Sequence, residues 1–264
     1  MAVDWTPEFL SSGLLTAWYK ADSLSLSDGA GVGSWTDSSG NGNTVAQLSS
    51  GRQPTFQTNE LNSQPVLRFD GTNDILTDGD IAALDVGTGD IWMAAVFKST
   101  DNSAAQNYFE KGATSFGLRT TSAGVLQMNL GGTSNIPFQS NGNWSRTAFV
   151  IVTAARVSST CNGFVNGTAS NTTGTTNTGS ISNSDVFDIG SRAVGAGPMV
   201  GDIAEILVGG ATLDDNQRFK IEGYLAHKYG LSANLPSDHK YKNAAPSFLT
   251  KRGFNGLVGG GLIS

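Results

Sequence analysis

Apolar residues along this chain come in short runs, broken by stretches of Gly, Asn, Asp, Ser and Thr. Such a pattern belongs to strands joined by tight turns. Residues 14–19, with Leu14, Leu15, Ala17, Trp18 and Tyr19, predict a first strand, because aromatic and apolar side chains suit a pleated surface. Residues 65–69 predict another, closed by a turn at Asp70 and Gly71. Two nearly unbroken apolar runs, 91–97 and 148–152, suit central strands covered on both faces. Shorter strands are predicted at 108–110, 116–119, 125–130, 187–190 and 203–208. Residues 37–43 form a dense turn signal, since Asn and Gly tolerate positive φ, and Asn166-Gly167 marks a hairpin tip. Turn signals recur at the spacing of two packed sheets.

One segment breaks the pattern. Leu213, Gln217, Ile221 and Leu225 recur at i+4 steps, with Tyr224 and Lys228 extending the stripe. They predict one short helix with a narrow apolar face. Thr212, followed three positions later by Asp215, predicts its N-cap, and Gly230 its stop. The chain thus divides into an N-terminal arm (1–13), a sandwich domain (14–242) and a C-terminal arm (243–264). The last stretch is apolar but too rich in Gly for a dependable helix. A loose terminus fits it, and so does a segment that orders on a neighbouring chain.

Composition narrows the classes. The chain has 264 residues, 34 of them Gly, with 38% hydrophobic and 14% charged. That is enough for one large β domain and is not a disordered composition. The net charge of −6 argues against a general nucleic-acid binder. Residues from Arg218 onward carry a net +5, which reads as a solvated face or as a surface for an acidic partner. Cys161 is the only cysteine, so it reads as a buried small hydrophobe, with neither an intrachain disulfide nor a cysteine zinc site. The N-terminus does not read as a signal peptide, and no apolar run approaches the roughly 20 residues of a membrane span.

Several blocks carry a family resemblance. They are residues 15–22 with Trp18 and Tyr19, residues 35–43 with Trp35 and Asp37, Gln53-Pro54-Thr55-Phe56, residues 62–71, Asp202-Ile203-Ala204-Glu205-Ile206, and residues 224–231. In this order they resemble the concanavalin A-like jelly-roll domains of the laminin-G-like type, found in bacterial surface and phage proteins. The resemblance implies an all-β jelly-roll β-sandwich with one short C-terminal helix and extended terminal arms. It also implies a non-enzymatic structural or decoration protein of a phage-like virion. Trp5, Phe9 and Leu10 of one arm, and Phe248, Phe254, Leu257 and Ile263 of the other, would then dock on capsid or tail proteins or on further copies. The alternative it implies is a carbohydrate-binding adhesion module for host-surface glycans, extracellular or on a cell surface. Trp144, with Asn143 and Arg146 in the same polar turn, is the candidate sugar platform. Trp18, Trp35 and Trp92 lie in apolar strand contexts and read as core.

No catalytic constellation emerges. Related glucanases carry Glu-x-Asp-x-Glu on one strand, and that motif is absent. Strand alternation places Asp202 and Glu205, three positions apart, on opposite faces, and the resemblance implies that Glu205 is a structural hydrogen-bonding residue. A hydrolase reading would turn on Glu205 or Glu110. His227 and His239 are the only histidines, and neither a Gly-x-Ser-x-Gly elbow nor a phosphate-binding loop occurs. Asp37, Ser39, Asn41 and Gly42 mimic the opening of a calcium loop, but Leu48 stands where a bidentate Glu is needed. That loop is expected to cap itself through Asx-type bonds. Asp70, Asn73, Asp74 and Asp78 are the residues calcium would draw on, without a complete motif. No cofactor is expected.

Overall fold

The computed structural model describes residues 3–100, 105–112, 115–131, 134–138, 145–170, 175–192 and 196–248. In chain order the strands are β1 (Val3–Asp4), β2 (Ala17–Lys20), β3 (Ser34–Trp35), β4 (Val45–Ala46), β5 (Thr55–Leu61), β6 (Gln64–Asp70), β7 (Leu76–Thr77), β8 (Ile91–Ser99), β9 (Gln106–Lys111) and β10 (Phe116–Thr120). They continue as β11 (Leu126–Leu130), β12 (Ser134–Phe138), β13 (Val150–Val157), β14 (Thr160–Val165), β15 (Thr168–Ala169), β16 (Thr175–Thr176), β17 (Phe187–Ile189), β18 (Val200–Gly209) and β19 (Ser247–Phe248). One α-helix, α1 (Asp215–Lys228), lies between the last two.

Two antiparallel sheets form a sandwich. An eight-stranded sheet runs β12-β11-β10-β9-β17-β7-β4-β3, and a nine-stranded one runs β15-β14-β13-β8-β18-β6-β5, with β16 on β14 and β2 on β18. Alternation turns one side chain in two toward the space between the sheets. There Trp35, Phe69, Phe97, Phe109, Phe116, Met128, Phe187 and Ile206 make the principal core, and Cys161 is buried with them. The Asn-Gly turn is present: Asn166 and Gly167 have φ of 50° and 74°, the positive pair that a two-residue hairpin between β14 and β15 requires.

The outer face of the nine-stranded sheet is covered by α1. Trp18, Val66, Trp92, Ala204 and Leu207 of the sheet meet Ile221, Leu225, Ala226 and Tyr229 of the helix. Each fully buried Ile or Leu here stabilises the docking by roughly 1.5–3 kcal/mol. The helix begins two residues later than Thr212 suggests. Asp214 is the N-cap and Gln217 closes a reciprocal capping box, while the Thr212 hydroxyl donates to Asp90 Oδ2 at 2.6 Å. Gly230, at φ 67°, ends the helix as predicted.

Residues 3–10 and 246–248, from the two segments expected to be arms, lie against the body. β1 pairs with β19, and the Trp5 amide donates to the Pro246 carbonyl at 2.9 Å. Trp5 is only 3% exposed and meets Tyr224 edge-on at 6.4 Å. A partner anchor must offer surface, and this ring has given its surface to its own helix. Leu10 is half-buried against the same cluster. Phe9 and Phe248 remain exposed but touch each other edge-on at 4.9 Å. Phe254, Leu257 and Ile263 lie outside the described residues.

Candidate functional site

Strand register assembles a polar band on the outer face of the eight-stranded sheet. Thr77 pairs with Asp188, Asp188 with Glu110, Glu110 with Gly117, and Gly117 with Asn129. These five positions cross β7, β17, β9, β10 and β11 in one row. Leu76, Ile189, Phe109, Leu118 and Met128, one position along, point into the core. A second row holds Asn107, Arg119 and Gln127. Simple alternation would turn Asn107 away from Glu110. A bulge prevents this: Leu118 pairs with Phe109 and Arg119 with Asn107, leaving Tyr108 as the extra residue.

The band is sunk into the surface, with Glu110 2%, Asn129 4%, Asn107 6% and Asp188 7% exposed. Gly117 is what lets Glu110 lie there. A Cβ at that position would approach the Glu110 Cβ to 2.5 Å and the Phe109 carbonyl oxygen to 2.8 Å. The Thr77 hydroxyl donates to Asp188 Oδ1 at 2.7 Å. Glu110 Oε1, by contrast, is buried and has no hydrogen-bond partner among the described residues. Arg192 Nε lies 3.9 Å from it, too far for a hydrogen bond. Burial pushes the Glu110 carboxyl up to about 7; Arg192 and Arg119 pull it down, and the neighbouring Asp188 raises it.

Two depressions flank Arg192. One, of about 380 Å³, is lined by Glu110, Gly112, Ser184, Asp185, Asp188 and Arg192. The other, of about 360 Å³, holds Asn107, Arg119, Thr121, Ser122, Gly197 and Arg192. The Asn107 amide donates to the carbonyls of Ala196 and Gly197, at 3.1 and 3.2 Å, and so clamps the loop that carries Arg192.

A larger groove, of about 540 Å³, opens at the end of the nine-stranded sheet beside Gln53, Arg68, Asp70, Asp74, Lys98 and Asp202. Its polar groups already have partners. Arg68 holds both Asp202 oxygens, at 2.7 and 3.0 Å, and Lys98 reaches Oδ2 at 2.8 Å. The Asp70 amide donates to Asp74 Oδ2 at 2.9 Å. Burial, with Asp70 nearby, raises the Asp74 carboxyl to about 6. Since an unpaired buried polar atom is costly and a paired one is not, the Glu110 band is the stronger candidate despite its smaller size.

The residues predicted from the sequence fare differently. Arg146 is buried and donates from Nη2 to the Thr121 carbonyl at 2.9 Å, so it does not rim an exposed sugar platform; Asn143 and Trp144 lie outside the described residues. Trp18, Trp35 and Trp92 are core, as expected. Asp37 accepts from the amides of Ser39 and Asn43, the expected self-capping loop. Asp70 Oδ1 accepts from the Thr72 amide and Asp78 Oδ1 from the Gly79 amide. Among the described residues no group of three or more His, Cys, Asp or Glu side chains gathers as a metal site. Glu205 is structural: it accepts from Trp18 Nε1 at 2.6 Å, Lys228 Nζ at 2.7 Å and Tyr229 Oη at 2.8 Å. Yet it shares the outer face with Asp202, against the alternation rule, because the register slips between Ile203 and Glu205. Of the band, the sequence singled out only Glu110. A lone Glu between Phe109 and Lys111 was the available signal; Asp188, Arg192 and Asn107 come from distant segments and had none.

No protein-family model matches the chain, and no curated protein matches it. Solved structures do. A Trypanosoma rangeli sialidase in complex with sialic acid aligns at TM-score 0.55 and 13% identity, over 86% of this chain and 36% of the sialidase. This chain therefore spans about a third of that protein's length. Domain 4 of AbnA, a GH43 extracellular arabinanase from Geobacillus stearothermophilus, solved in complex with arabinotriose, aligns at TM-score 0.55 and 14% identity, over 77% of this chain and 96% of that one. These neighbours are carbohydrate-active proteins. At such identities the likeness establishes the fold alone, an all-β antiparallel sandwich.

Proposed function

We propose that this protein is a carbohydrate-binding domain that recognises a saccharide on the outer face of the eight-stranded sheet. The observation that carries the reading is the buried Glu110 oxygen, which has no hydrogen-bond partner among the described residues and is set in a polar band of carboxyl, amide and guanidinium groups. A sugar hydroxyl is both donor and acceptor. It can donate to Glu110 Oε1 and accept from the Arg192 guanidinium, which lines the same depression. Removing an unsatisfied buried acceptor converts a standing cost into binding free energy. The arabinanase domain, matched over nearly its whole length, was solved with a saccharide, which supports the same reading. The domain acts by binding, without hydrolysis, as a jelly roll of the concanavalin A-like type presented at a cell surface or in the extracellular space. A particle-assembly role through the N-terminal segment is the weaker reading, because Trp5 is buried on its own helix and β1 pairs with β19.

Calorimetric titration with arabinotriose, sialic acid and a wider oligosaccharide panel tests this. We expect micromolar to millimolar binding of at least one saccharide, weakened at least tenfold in Glu110→Ala, with no release of reducing ends. Silence across the panel in a folded protein rejects the reading.

A further inference from the structure

The two depressions beside Arg192 differ sharply in charge. The Glu110 side carries three carboxyl groups, Glu110, Asp185 and Asp188. The Asn107 side is lined, among the described residues, by two guanidinium groups, Arg119 and Arg192, and by no carboxylate. Resting on the carbohydrate reading above, we propose that the two depressions are consecutive subsites for an acidic oligosaccharide. A carboxylate-bearing unit occupies the Arg119/Arg192 side, and a neutral unit lies over Glu110.

The geometry supports each part. Each depression is of the size that a small polar ligand fills, and Arg192 is the wall they share. Guanidinium groups present a planar fork that matches a carboxylate bidentately. Arg119 is oriented by the Gln127 side chain, to which its Nε donates at 3.3 Å, and Arg192 is held through the loop that Asn107 clamps. Thr121 and Ser122 add hydroxyls on the same side. The carboxyl groups of the other side repel an anion, so the charged unit has one productive position. The oligosaccharide would therefore bind in a single direction.

The test compares matched pairs: a uronic-acid disaccharide and its carboxyl-reduced neutral counterpart, with a sulfated disaccharide as a third ligand. We expect the carboxylate form to bind at least tenfold tighter than the neutral one at low salt. The ratio should shrink in 0.5 M NaCl, as screening weakens the ion contacts. Arg119→Gln should bring the ratio close to one, and Arg119→Lys, which keeps the charge but loses the fork, should fall between. Thermal unfolding confirms that each variant is folded; if Arg119→Gln is not, Arg192→Gln supplies the same comparison. Equal binding of acidic and neutral forms, or an undiminished ratio in the glutamine variant, overturns the subsite assignment and leaves the carbohydrate reading standing. Preference for the sulfated ligand over the carboxylate overturns the carboxylate assignment. Failure of every saccharide to bind removes both.

Discussion

Asp202 and Glu205 lie three positions apart on β18 and face the same side of the sheet. Ile203 pairs with Phe97 and Glu205 with Val96, so Ala204 is an extra residue that resets the alternation. The bulge gives Asp202 to Arg68 and Lys98, and Glu205 to Trp18, Lys228 and Tyr229. Glu205 is fully buried, and its partners hold α1 against the sheet. Glu205→Ala should therefore destabilise by about 1–3 kcal/mol, because it leaves the buried Trp18 Nε1 without its acceptor, while Lys228 keeps Asp22 and Tyr229 keeps the Ala204 carbonyl. Urea unfolding measures this. Lys228→Ala in the Glu205→Ala background should cost much less than Lys228→Ala alone; additive costs would mean that the pair is not coupled.

Trp5 gives a contrasting expectation for the N-terminal segment. Its burial against Tyr224 and its amide bond to Pro246 tie the N-terminal segment to the helix and to the stretch that carries Pro246. Trp5→Ala should cost about 3 kcal/mol, the lower end for an aromatic-to-alanine change, since a terminal segment relaxes around the gap. A ring reserved for a partner would leave the unfolding midpoint of the isolated protein unchanged.

The pH dependence of stability reports on Glu110. Its ordinary value of 4.5 is raised to about 7 in the folded chain. Between those values the native state keeps a proton that the unfolded chain has released. Its contribution is whole below pH 4.5, declines as pH rises toward 7, and is absent above it, a loss on the order of 3 kcal/mol. Urea midpoints from pH 4 to 8 should show this decline, and Glu110→Gln should flatten its upper part. Asp74, raised from 3.8 to about 6, gives a similar decline at lower pH, which Asp74→Asn should remove.

Helix capping supplies a local test. Asp214→Ala removes the side chain that accepts from the Gln217 amide and should cost about 1 kcal/mol. Thr212→Ala removes a hydroxyl bound to Asp90 and leaves that cap intact. Circular dichroism and denaturant midpoints of the two variants separate the roles. Equal loss of helix in both would place the cap at Thr212 instead.

What the chain alone determined is local or periodic. The alternation of Phe109 and Glu110 or of Leu118 and Arg119, the positive-φ turn at Asn166-Gly167 and the self-capping loop at Asp37 each depend on residues within one strand or turn. The three core tryptophans were legible for the same reason, since apolar neighbours in a strand announce burial. Which faces share a site was decided by tertiary structure. A bulge at Tyr108 or Ala204 inserts one residue unannounced by the sequence, yet it moves Asn107 to the face of Glu110 and Glu205 to the face of Asp202. Trp5 looked like a free anchor because its partner, Tyr224, is distant in sequence. Glu110, Asp188 and Arg192 meet only once β9 and β17 are paired and Asn107 has clamped the loop. Periodicity assigns a side chain to a face, but only pairing of remote strands assigns that face its neighbours.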